Sequence, residues 1–406
     1  MSNLVSLPAP AWTKDLQRYS SGVPHATLAN VCAMLRGAPE LQAMLAYDEF
    51  ASKTMLVSPA PWVFDRQSFF QRAWTAHDDL LATEHVQRAG IPVKVPTTAQ
   101  AVELVARERP YHPVLDYLEA LKWDGLCRLD HLFPKYFGSN DDVYTAHIGR
   151  SLMIGAVARI SNPGIKHDHI PIIEGAQGIG KSRAVRSLFD PWFSDEVADL
   201  GSKDAAMQMS GVWCIELSEL DAYSRAETGR IKAWTSRNVD RFRPPYGSRI
   251  IETPRACVFI GTTNGDSYLK DETGNRRFWP VRATRIDAHA LAKDRDQLWA
   301  EARRLYVGGA AWWLLNPEAV DQAKQEQLAR LVDDPWDGLI SAYVAQLTDV
   351  SIADVLTEAI CLDRSRWGQV EQNRIARCLK ARGWLRVQVR TGDKRAWRYR
   401  RGAVMQ

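Results

Sequence analysis

The chain carries IPIIEGAQGIGKS at residues 170–182, and how this stretch is read decides the fold. A short β-branched run passes into a glycine-rich turn, and RAVRSLF follows with helical character. The run has the texture of a buried parallel strand. G-x-x-x-x-G-K-S between a strand and a helix is a phosphate-binding pattern. Its glycines let the chain curl so that backbone N–H groups face a phosphate. The start of the helix adds the positive end of its dipole. The expected ATP-contacting residues are Gly175, Ala176, Gln177, Gly178, Ile179, Gly180, Lys181, Ser182 and Arg183. Lys181 is expected to reach the β- and γ-phosphates, and the Ser182 hydroxyl to ligate Mg²⁺.

Working outward, the loop needs acids at the ends of neighbouring strands. GVWCIELSELD (211–221) supplies an apolar strand with Glu216 as the first acid at its C-terminal end, where open α/β sheets bind ligands. Glu216 would hold Mg²⁺ or polarise the attacking water, and Glu219 is a second candidate base. ACVFIGTTN (256–264) reads as a third strand tipped by Asn264, whose amide could orient water and sense the γ-phosphate. Between these strands, residues 230–255 carry Arg230, Lys232, Arg237, Arg241, Arg243, Arg249 and Arg255, interleaved with Trp234, Phe242 and Tyr246. Cations track a phosphate backbone and aromatics stack on bases, the combination found in single-strand channels. Lys232, Arg237, Arg241, Arg243, Tyr246 and Arg249 are the expected contacts.

The bulk numbers fit this reading. At 406 residues, two to four structural units are expected. No apolar run approaches the length of a membrane span, and the N-terminus lacks signal-peptide character, so a cytoplasmic protein without a membrane partner is expected. The six cysteines are scattered with no CxxC pair, which argues for reduced buried thiols. His167-Asp168-His169 reads as polar loop residues in preference to a metal site. Net charge is only +4, but residues 361–406 hold 13 Lys/Arg against 3 Asp/Glu. Such asymmetry points to a basic C-terminal module facing a polyanion.

Taken in order, GAQGIGKS, WCIELSELD, RFRPPYG, FIGTTN and DETGNRRFWPV resemble the virulence-associated protein E family of P-loop ATPases. That family is similar to superfamily 3 helicases and to the helicase half of poxvirus-type primase-helicases. The likeness spans about residues 110–315. It implies a hexameric ring that hydrolyses ATP between subunits, moves along single-stranded or forked DNA, and turns the Lys232–Arg249 loop toward the channel. No acidic catalytic set precedes residue 110, so primase activity is not expected. In a ring of this kind an arginine must reach a neighbour's γ-phosphate from a rigid mount. In DETGNRRFWPV (271–281), Thr273-Gly274-Asn275 would set a turn and Phe278-Trp279-Pro280 would anchor it. Arg277 is favoured narrowly over Arg276 as the finger.

At the C-terminus, a helix at 351–360, a basic helix at 370–384 and an alternating hairpin at 385–401 spell a winged helix-turn-helix. Arg374, Arg377, Lys380 and Arg382 would meet duplex origin DNA, with Arg395 and Arg398 on the wing. The expected fold is therefore α/β: a P-loop NTPase with a central, mostly parallel sheet of the superfamily 3/AAA+-like kind. The expected segments are a loose start (1–22), an α+β region (23–110), a helical lead-in (111–165), the ATPase core (166–316), a helical linker (317–335) and the winged helix (336–406). Three functions compete. They are an ATP-driven DNA helicase of a phage, plasmid or genomic island; a DNA-binding ATPase switch in initiation or phage defence; and a winged-helix regulator with a relic P-loop.

Overall fold

The β-branched run at 170–174 becomes β1 (Ile170–Glu174), buried along its whole length. Downstream come β2 (Phe193–Ser194), β3 (Cys214–Leu217), β4 (Val239–Phe242), β5 (Ile251–Pro254), β6 (Val258–Thr263) and β7 (Phe278–Arg282). Five of these form one sheet in the order β7-β1-β6-β3-β2, with every neighbouring pair parallel. β4 and β5 form a separate antiparallel hairpin. This computed structural model describes residues 11–196, 203–243, 250–270, 274–332, 334–391 and 394–401. The chain divides into two units, Met1–Arg330 and Leu331–Gln406.

Helices fix the sheet's surroundings. α1 (Val143–Ser161) starts in a capping box on Asp142 and is buried along most of its length, as suits a helix that is apolar on nearly all sides. α2 (Lys181–Phe189) follows the glycine-rich loop, and α3 (Arg225–Thr235) precedes the hairpin. α4 (Ala288–Val307) lays Trp299 against Trp213, ring centroids 4.1 Å apart. Both indoles are fully buried and donate to carbonyls, Trp213 to Ala156 and Trp299 to Leu188, which satisfies their polar ends.

The expected helical linker belongs to this core. α5 (Pro317–Ala329) sends Gln327 Nε2 to the Phe278 carbonyl at 2.9 Å. Just beyond it, Arg330 meets Glu174 through two bonds of 2.7 Å, and Tyr268 donates to the same carboxylate at 2.7 Å. A polar surface pattern concealed a helix whose few buried residues join the sheet. Within the expected helical lead-in, one helix spans Pro113–Ala120, and the α+β region before it contains the helix Val95–Ala106, with Pro96 in its first turn. Cys127 and Cys361 are exposed, against the expectation of uniformly buried thiols. Among the described residues no helix is long and apolar enough to cross a membrane.

The N-terminal region forms its own four-stranded sheet with the helices Leu28–Gly37, Ala76–Arg88 and Val95–Ala106. In the second unit the helix Asp337–Val344, unread in the sequence, precedes a short strand at Asp349–Val350. A capped helical segment, the helix Gln369–Ala381 and an antiparallel hairpin, Trp384–Thr391 with Lys394–Arg401, complete it.

One contact shows how tightly α1 is fitted. A Cβ on Gly155 would lie 2.1 Å from Nε2 of the buried His167. One turn on, buried Arg159 donates to the His167 carbonyl at 2.7 Å. Gly155→Ala adds one methyl against a ring with no room to retreat, so we expect a loss of about 1–3 kcal/mol in denaturant unfolding. Burial drives the His167 imidazole well below its ordinary pKa, and pushes His169 down to about 4. Both groups are depressed on folding, so the unfolded chain takes up protons first. Stability contributed by these neutral rings is complete above about pH 6.5 and is lost as pH falls toward 4. Urea midpoints at pH 7 and pH 5 should show the drop, and His167→Gln should reduce it.

Candidate functional site

The loop between β1 and α2 is shaped by its glycines. Gly178 and Gly180 hold φ of +82° and +98°, a region that favours glycine. A Cβ on Gly175 would sit 2.6 Å from the Ala283 carbonyl oxygen, so the chain approaches β7's end more closely than any other residue allows. Beside Gly178 there is open space, and a cavity of about 310 Å³ lies over the loop.

Lys181 is buried, and its ammonium donates to the carbonyls of Gly175 (2.7 Å) and Ala176 (3.0 Å) and to Asn264 Oδ1 (2.8 Å). Three donors thus meet three acceptors. Desolvation lowers its pKa, against the pull of Glu216 and Asp221. The register of β3 on β6 places Glu216 opposite Ile260, with no exposure to solvent. One of its oxygens, Oε1, accepts from Ser182 Oγ (2.7 Å) and Thr262 Oγ1 (2.6 Å); the other, Oε2, is buried without a partner. Ser182 and Arg183 are exposed, and both line the cavity. Glu219 also lines it and holds φ of +52°, a conformation costly for a non-glycine residue. Such strain clusters at functional positions.

Sequence reading missed two participants here. Thr262 shares Glu216 with Ser182, and Asp221 accepts from Thr263 Oγ1 at 2.8 Å. Asp221 ends the same ELSELD run, so its signal was present. Thr262 had none, because a threonine in a strand is ordinary.

The arginine turn is the short helical turn Asn275–Arg277, entered through Gly274 at φ +75° and leading into β7. Phe278 and Trp279 bury behind it, while Pro280 sits in an edge strand, where proline is tolerated. Arg277 does not project. Its Nε donates to Ser236 Oγ at 2.9 Å and to Asp168 at 3.3 Å. Arg276 is exposed and makes no ion pair among the described residues. Of the turn's first residues, Asp271 and Thr273 lie outside the described residues.

The basic loop separates into different roles. Lys232 is buried and donates to Asn275 Oδ1 at 2.9 Å, so it braces the arginine turn and does not face solvent. Arg255 is equally buried, bound to Asp240 at 2.6 Å and to the Trp234 carbonyl. Arg237 and Arg243 are exposed, and Arg241 is exposed beside Glu252 at 3.0 Å. Tyr246 and Arg249 lie outside the described residues.

In the second unit the expected DNA face is largely neutralised. Arg374 binds Asp334 and covers the Trp336 ring at 3.9 Å, with Arg377 3.9 Å from the same acid. Arg382 binds Asp337, and Arg398 binds Asp349 and Asp354. Of the six expected contacts, only Lys380 and Arg395 are exposed without such partners among the described residues. The charge count from residue 361 left out the acids that fold with it. Over Leu331–Gln406 the balance is 13 Lys/Arg to 9 Asp/Glu.

A family model of virulence-associated protein E-like domains matches residues 118–332, more than half of the chain, and the chain belongs to that family. No curated protein matches it. Among solved structures, an apo C-terminal region of NrS-1 aligns at 13% identity and a TM-score of 0.43, covering 88% of this chain and 96% of that one. A second, in its A form, aligns at 11% identity and a TM-score of 0.44 over the same shares.

The bracing role of Lys232 is open to a direct test. Lys232→Met should strand the buried Asn275 amide and cost about 1–3 kcal/mol in chemical denaturation. Arg237→Ala, on the surface, should stay within about 0.5 kcal/mol.

Proposed function

We propose that this protein is an ATP-driven DNA translocase, a helicase that works as a ring with ATP hydrolysed at subunit interfaces during replication of a mobile element. The observation that carries the reading is the convergence of Lys181, Ser182, Glu216 and Asn264 at the glycine-rich loop. The residues also fit the expected cofactor. The open space at Gly178 would admit phosphates, and the unpartnered Glu216 Oε2 beside the Ser182 hydroxyl suits a divalent cation. Bound Mg²⁺·ATP would supply the phosphoanhydride to be cleaved and neutralise part of its charge.

Each side chain then has a task. Lys181 would give its ammonium to the β- and γ-phosphates, and Asn264 would keep it aimed. Ser182 and Glu216 would hold the metal side. Glu219, exposed at the cavity, would position the attacking water and accept its proton at the carboxylate. Asp221 and Thr263 would fix the strand tip from which Asn264 projects. Arg276 is the finger in this reading, because Arg277 is tied to Asp168 and Ser236 within its own subunit. Arg277 becomes the brace. Arg237, Arg241 and Arg243 on the hairpin would contact single-stranded DNA.

The second unit has the element order of a winged helix, and we assign it a role in duplex binding centred on Lys380 and Arg395. Its neutralised arginines make a weak, salt-sensitive contact the expectation. A relic P-loop is disfavoured, since an idle loop has no need of a buried lysine with three matched acceptors.

Lys181→Ala should abolish ATP binding by calorimetry and reduce turnover to background. Arg276→Ala should retain ATP binding and lose about 10³-fold or more in kcat. Mixing Arg276→Ala with Lys181→Ala subunits should restore part of the rate, because intact sites form where the two meet. Wild-type turnover in Arg276→Ala, or equal ATPase rates with and without single-stranded DNA, would sink the motor reading.

A further inference from the structure

The first unit holds a larger cavity of about 560 Å³ that shares no lining residue with the pocket over the glycine-rich loop. Its size falls within the range of small-ligand pockets. Four aromatic side chains line it: His169, Trp279, Trp312 and Trp313. His169 stacks on Trp279 with centroids 4.1 Å apart and planes 12° from parallel. Trp312 is pinned by its indole N–H, which donates to the Lys166 carbonyl at 3.1 Å, and Trp313 meets it edge-on at 5.1 Å. Trp313 keeps 45% of its surface exposed, which is unusual for an indole next to so much apolar lining.

The cations divide into paired and unpaired. Arg277 is held by Asp168, the only carboxylate among the described lining residues, and Lys324 by Asp321 at 2.8 Å. Lys166 and Arg276 are exposed and have no ion pair among the described residues. Burial keeps the His169 ring uncharged at neutral pH, so that wall offers an aromatic surface without added charge. An apolar void awaiting only core side chains would not need unpaired cations beside it. A simple phosphate site would not need three tryptophans. Aromatic walls with adjacent cations suit a planar heteroaromatic ring joined to a phosphate.

We propose that this cavity is a second nucleotide-type site, separate from the glycine-rich loop, that takes one unpaired base together with its phosphate. The ring would lie against Trp312 and Trp313, with the buried Trp279 as the floor behind them, and the phosphate would meet Lys166, which leaves Arg276 to its role as the finger. Single-stranded DNA and free nucleotide present the same chemistry.

The test is photocrosslinking of the full chain to an oligothymidylate carrying 5-iododeoxyuridine, without ATP, followed by peptide mapping. An adduct at Trp312 or Trp313 is expected in the wild type and equally in Lys181→Ala, which separates this site from the loop. Competition by thymidine monophosphate would mark free nucleotide as a ligand; competition only by unlabelled oligonucleotide would mark the strand. Trp313→Ala and Lys166→Glu should each weaken binding of the probe about tenfold, the weight of one lost stacking or phosphate contact. Lys166 is exposed, so its replacement leaves the fold intact. Adducts confined to other peptides, or unchanged affinity in both variants, would overturn the proposal.

Discussion

A carboxylate with no ion pair among the described residues is buried in the parallel sheet of the first unit, and the surrounding architecture has to accommodate it. Glu216 has no solvent exposure, and two hydroxyls share one of its oxygens. Burying such a group costs several kcal/mol unless it is compensated. The compensation comes from three segments at once: β3 bears the acid, β6 brings Thr262 and α2 brings Ser182. Their spacing depends on the parallel register that sets Glu216 opposite Ile260. A slip of one residue would turn the acid to the other face of the sheet and leave both hydroxyls unmatched. The position of α2, and with it the curl of the glycine-rich loop, follows from that register.

A second linkage joins the hairpin to the arginine turn. α3 ends in residues that reach the turn twice, through Lys232 to Asn275 and through Ser236 to Arg277. Three residues after Ser236 the chain enters β4. Displacement of the hairpin would therefore act on the turn through a buried ammonium and a hydroxyl, over a short and stiff path. Under the motor reading this route gives a bound strand a mechanical way to affect the neighbouring subunit's chemistry. It also explains why two adjacent arginines are present: one is held so that the other can project.

What the sequence disclosed was local. The loop, the acid after VWCI and the asparagine after FIGTT announce themselves within a dozen residues, because backbone curl and strand ends are short-range properties. What it concealed was relational. Lys232 reads as one more cation in a basic stretch, and only Asn275, far along the chain, turns it into a buried brace. Arg277 looked like the better finger until folding brought Asp168 and Ser236 beside it. The basic tail looked like a polyanion surface because its acids lie upstream in the chain and only folding sets them beside the arginines. Pairing between distant segments is a property of the fold, and no periodicity or spacing rule reports it.

The fit of Gly155 against His167 carries an implication for how this chain can change over time. The bare Cα on α1 and the imidazole twelve residues later occupy one shared volume, so neither position is free to drift alone. A side chain can appear at 155 only in a lineage that has already shrunk residue 167. A larger group at 167 is admissible only while 155 stays bare. The two positions should therefore behave as one heritable unit, and an alignment of related chains should show them substituting in concert.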